Sequence, residues 1–189
     1  MSRKRGILLG VGGVLLVVLV VGLLVFQPWL LFIDEEVDEA DEAGEVVGTA
    51  SGGLTDTAVP TPSGDEPARI QLAAGEFIDA EHGTSGRAVI YRRDDGSRYL
   101  RLDGLDTSNG PDLHVWITDR TSGGDCEGCF DSWGIYDDGD YVRLGELKGN
   151  QGSQNYEVPG GYDLSGDQTV LVWCESFGVP VAHAPQTPV

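Results

Sequence analysis

The chain has 189 residues, with 31 acidic against 12 basic ones and a formal net charge of −19. Arg3, Lys4 and Arg5 precede everything apolar, so nine Lys or Arg stand against all 31 carboxylates from Asp34 onward. A phosphate-binding surface needs a basic patch, which excludes nucleic acid as a partner, and the length allows one domain of ordinary size with appendages.

From Gly6 to Phe26 run 21 residues without a charge. At about 1.5 Å per residue these cover the roughly 30 Å hydrocarbon core of a bilayer. Gln27-Pro28 interrupts the run, and Trp29 to Ile33 extends it to where an interfacial Trp is well placed. A cleaved signal peptide has an apolar region of about 7–15 residues and ends at small residues; no such site follows Phe26. Residues 1–33 are therefore expected to be a basic cytoplasmic tip and a transmembrane signal anchor. The membrane is then a partner, and the C-terminal domain is extracytoplasmic at the plasma membrane. Residues 34–70, dense in carboxylates and then in Pro, Ser and Thr, cannot bury enough apolar surface to fold and are expected to be a disordered acidic stalk.

From residue 71 to 189 short strands alternate with strong turns. Gly86 to Arg93 and Arg98 to Leu105 flank Asp94-Asp95-Gly96-Ser97, a hairpin signal. Leu113 to Thr118, Tyr141 to Leu147, Gln154 to Val158 and the apolar stretch Val170 to Val181 follow, with Glu76 to Ile78 in front. No long window has helical apolar spacing, so the expectation is an all-β fold, an antiparallel β-sandwich of about seven to nine strands. Around Cys174 the period of two sends Val170, Val172 and Cys174 to one face and Leu171 and Trp173 to the other.

Cys126 and Cys129 form C-x-x-C without the strand–helix setting of a redox dithiol. The flanking carboxylates would raise their pKa values, which leaves a local disulfide, or a metal site short of four ligands. Three cysteines leave one unpaired, and Cys174 is the choice for it, with a bond from the loop to Cys174 still open. Asp137, Asp138 and Asp140 resemble a hard-cation loop, a calcium candidate, but lack the EF-hand order of ligands. His82, His114 and His183 match no haem or metal ligand spacing, so no cofactor is expected, with haem and metal left open. No catalytic constellation is recognisable, which favours a redox or binding module over an enzyme.

Gly110-Pro111-Asp112-Leu113-His114-Val115-Trp116, the segment Leu144 to Pro159, and Val172-Trp173-Cys174-Glu175-Ser176-Phe177 together resemble the DM-thirteen electron-transfer domain, over about residues 75–184. That family is grouped with DOMON-like sandwich domains, some of which bind haem or sugars. The resemblance implies a β-sandwich with Cys174 as the redox centre. It implies supporting roles for Asp112 and His114 in the first block, Asn150 and Tyr156 in the second, and Trp173 in the third. Two function classes follow: an extracytoplasmic redox module exchanging electrons with a protein partner through Cys174, or a non-catalytic module that binds protein, glycan or Ca2+ with Cys174 in the core.

Overall fold

Period-two strands set the architecture, and turns rich in Gly, Asp and Pro punctuate it. The computed structural model describes residues 3–41, 69–80, 83–122 and 136–189. Helix α1 (Arg3–Phe26) and a 3-10 turn (Pro28–Phe32) precede ten strands. These are β1 (Glu36–Asp38), β2 (Ile70–Glu76), β3 (Ile78–Asp79), β4 (Ser85–Arg92), β5 (Arg98–Asp106), β6 (Leu113–Thr118), β7 (Tyr141–Glu146), β8 (Gln151–Val158), β9 (Gln168–Cys174) and β10 (Val179–Pro188).

The strands follow the order β1-β8-β5-β4-β2-β10-β9-β6-β7, with β3 paired to β10 off this path. All pairs are antiparallel except β1 with β8. The fold is thus mostly β, but it is one curled sheet of ten strands rather than two separate ones. The reason is β10: its length lets its first part pair with β9 and β3, and its last residues reach β2 through Thr187–Ala74 and Pro188–Ala73. The curl buries one shared core, with Ile90, Leu100 and Leu102 from one half against Val115, Val170 and Val172 from the other.

The β4–β5 hairpin turns where the Asp-Gly signal predicts, with Gly96 at φ 85° and the Asp95 carboxylate accepting from the Ser97 amide at 2.8 Å. Strand β9 is buried at every position between β10 and β6. Val170 to Val181 is not one strand, however: Glu175 to Gly178 form a turn, closed by the Gly178 amide donating to the Cys174 carbonyl at 2.8 Å, and β10 returns alongside.

The anchor expected over residues 1–33 is corrected. Helix α1 stops where Gln27 takes a left-handed conformation, φ 39°, and Pro28 opens the 3-10 turn. Among the described residues no helix is long and apolar enough to cross a membrane. The single-pass plasma-membrane localisation, which rested on that span, falls with it.

Of the segment expected to be a stalk, 42–68 lie outside the described residues. Residues 34–41 are ordered against β8, because their carboxylates meet polar and basic partners there, including Lys148 Nζ at 2.7 Å from Glu39 Oε1.

Candidate functional site

The register between β6 and β9 pairs Leu113 with Cys174 and His114 with Trp173, which brings the start of one strand to the end of the other. Cys174 is the last residue of β9 and is 4 % exposed. Its thiol donates to the Pro111 carbonyl at 3.3 Å. On its other side the turn after β9 brings the Phe177 and Ser176 amides toward the sulfur. Burial pushes the thiol pKa up, and the Asp112 charge adds to this, while the two amides oppose it.

Asp112 holds the mouth of this site. Its φ of 61° is left-handed, a conformation that Asp tolerates better than most residues. The carboxylate accepts from the Ser176 hydroxyl at 2.7 Å and faces His114 Nε2 at 3.1 Å, and the Ser176 hydrogen bond, followed by His114, holds its pKa below the usual range. The Asp112 carbonyl accepts from the Glu175 amide at 3.1 Å, tying the turn to the strand start.

His114 lies outside the core, as alternation predicts. Its Nδ1 is 3.7 Å from Glu175 Oε1, and Arg143 Nε is 3.3 Å from the same oxygen. The Arg143 guanidinium lies 5.0 Å from the Trp116 ring, which stacks on Trp173 at 5.0 Å and on Tyr141 at 4.5 Å. Trp173 therefore belongs to a second cluster with Trp116, Tyr136 and Leu171, on the face opposite Cys174. Asp112, His114 and Glu175 each offer a ligand atom within 4.8 Å of the others, a set of nitrogen and oxygen donors able to hold a divalent cation. The His114 ring and Arg143 flank Glu175 Oε1, an oxygen that is buried without a hydrogen-bond partner among the described residues.

Asn150 and Tyr156 sit apart from the thiol. Asn150 is 1 % exposed and donates to the Thr107 carbonyl at 2.8 Å, fixing the turn between β7 and β8 to the end of β5. The Tyr156 hydroxyl donates to Gln154 Oε1 at 2.7 Å, and burial raises its pKa. A cavity of about 440 Å3 is lined by Asn150, Glu35, Pro111, Asp112 and Ser176, with Leu30 of the 3-10 turn in its wall.

Cys126 and Cys129 lie outside the described residues, so their disulfide or metal pairing does too, as does His82. Asp137, Asp138 and Asp140 are exposed, and among the described residues the converging ligand set is the one at His114, not this loop. His183 stands on β10 with β9 between it and His114, bonded to the Ser122 hydroxyl. Glu175, Ser176 and Arg143 were not singled out as site residues from the sequence. The drop in hydrophobicity after Cys174 signals the first two, while Arg143 enters through the pairing of β7 with β6.

A curled, mostly β sheet carries a strand-end thiol beside a compact Asp–His–Glu set, which defines a small β-module. The chain belongs to the family described as Electron transfer DM13, whose model matches residues 76–185, and this makes it an electron-transfer-like module. Neither a comparison with curated proteins nor one with solved structures found a match.

Proposed function

We propose that the domain over residues 71–189 transfers electrons through the Cys174 thiol to or from a protein partner that carries a disulfide. The observation that supports this most directly is the position of Cys174 at a strand end, its sulfur between the Pro111 carbonyl and the amides of a four-residue turn. Loss of the thiol proton leaves a thiolate that those amides stabilise. The thiolate attacks one sulfur of the partner disulfide, forming a mixed disulfide while the other sulfur leaves as a thiolate with the electron pair. A small-molecule thiol then attacks the Cys174 sulfur and releases the partner's remaining sulfur as a thiolate, and a second such thiol displaces Cys174 as thiolate, so two external thiols are oxidised to one disulfide while the partner's disulfide is reduced to a dithiol.

Burial of Cys174 and its raised pKa favour a second reading, in which the thiol is a core residue and the module only binds. Iodoacetamide labelling of the native full-length chain, read by peptide mass spectrometry, separates the two. The redox reading expects Cys174 to be alkylated without unfolding. The rate should rise about tenfold per pH unit between pH 7 and 8.5, because the thiolate fraction does so below the pKa. Asp112→Asn should raise the rate several-fold at fixed pH by removing a negative charge beside the sulfur. Alkylation of Cys174 only in denaturant would remove the redox reading and leave the binding one.

A further inference from the structure

The edge of β8 carries a second site, built on different residues. Residues 33–41 lie along it as an extended strand, with Glu36, Val37 and Asp38 in parallel register with Gln151, Gly152 and Ser153. Side chains of the domain read the backbone of that strand. Asn109 Nδ2 donates to the Ile33 carbonyl at 2.8 Å, Asn150 Oδ1 accepts from the Glu35 amide at 2.7 Å, and Asn155 Nδ2 donates to the Ala40 carbonyl at 3.0 Å. They read its charges as well. Asn150 Nδ2 donates to the Asp34 carboxylate at 2.9 Å, and Lys148 Nζ reaches both Glu39 oxygens at 2.7 and 2.9 Å.

The edge is also shaped for close approach. A Cβ on Gly152, whose φ is 96°, would stand 2.0 Å from the Val37 carbonyl oxygen, and one on Gly149 would stand 2.5 Å from that of Glu35. Asn150, nearly fully buried, spends both ends of its amide on this strand while also holding the Thr107 carbonyl. An unpaired sheet edge is a template for strand addition, with main-chain hydrogen bonds giving affinity and side-chain contacts giving specificity.

Residues 148–155, which form this receptor, lie inside the 76–185 family match, whereas the strand that fills it lies before the match. We infer that the β8 edge is a peptide-binding site for an extended acidic segment of a partner protein, with residues 33–41 of this chain occupying it in cis as a built-in ligand. The ligand class follows from the contacts: an extended strand with a carboxylate at the Asp34 position to meet Asn150 and one at the Glu39 position to meet Lys148. Tethering makes the cis strand a competitor at an effective concentration in the millimolar range, so a free peptide meets a closed edge until that strand is displaced.

The test uses a fluorescein-labelled synthetic peptide of residues 33–41, Ile-Asp-Glu-Glu-Val-Asp-Glu-Ala-Asp, and the full chain in two opened forms. One carries Val37→Pro with Glu39→Lys; the other is cut by a site-specific protease at a recognition sequence placed between residues 50 and 60, which leaves every contact residue intact. Fluorescence polarisation should give binding at least tenfold tighter to both opened forms than to the uncut wild type. Adding Lys148→Glu to either form should weaken it at least tenfold, as should a scrambled peptide of the same composition. Equal binding of the scrambled peptide, or no binding to the cut chain, would overturn the proposal. A wild-type dimer that free peptide dissociates would also overturn the cis arrangement, because a second copy would then supply the strand.

Discussion

His183 illustrates how one side chain couples the fold to pH. It is buried on β10, where its ring meets the Ser122 hydroxyl and lies 6.1 Å from the Tyr136 ring, and burial pushes its pKa below the ordinary 6.5. The unfolded chain takes up this proton near pH 6.5 and the folded chain only at lower pH, so between the two values the unfolded state binds more protons. Stability from the neutral imidazole is therefore present above about pH 6.5 and is lost as the pH falls from there toward the folded value. Thermal denaturation from pH 7 to 5 should show a falling melting temperature for the wild type and a flatter profile for His183→Gln; parallel profiles would contradict it. At this level the sequence was partly legible. Alternation placed Cys174 with Val170 and Val172, and His114 on the face of Trp116, because side-chain direction in a strand depends only on position. The His114, Glu175 and Arg143 contacts were not legible, since three strands in a particular register make them.

Among the elements, β4, β5, β6 and β9 were readable because β-branched and aromatic residues recur in them between strong turns. Strand β2 was not. Its sequence, Ile-Gln-Leu-Ala-Ala-Gly-Glu, has one β-branched residue, and its strand state is imposed by β4 on one side and β10 on the other. Strand β1 was missed for a related reason: a run of carboxylates reads as solvated until the groups that receive it are folded beside it. The curl depends on the contact between β2 and β10, and Gly75 is the narrow point. A Cβ there would stand 1.9 Å from the Pro185 carbonyl oxygen, a backbone atom that cannot rotate aside. Gly75→Ala should lower stability by about 1–3 kcal/mol, the usual cost of overpacking, seen as a lower urea midpoint with an unchanged slope.

Across the molecule the two halves of the sheet share one main core, because Ile90, Leu100 and Leu102 pack in the same cluster as Val115, Val170 and Val172, while the smaller cluster around Trp116 and Trp173 belongs to the β6–β9 side. Unfolding of the domain should accordingly be one cooperative transition. In a Trp29→Phe, Trp133→Phe variant, Trp fluorescence reports Trp116 and Trp173 in the β6–β9 half, and it should give urea curves coincident with far-UV circular dichroism, which reports the whole sheet; resolved midpoints would mean that the halves unfold separately. Strand β10 has a further effect, on the timing of synthesis. It alone carries the path from β2 to β9, and of the described strands it is synthesised last, about 100 residues after β2. Translation at about 5–20 residues per second leaves β2 waiting several seconds to tens of seconds for its neighbour. Through that interval the nascent chain holds a hydrophobic face it cannot yet cover, so translation speed over the later strands bears directly on how much of this protein reaches its native form.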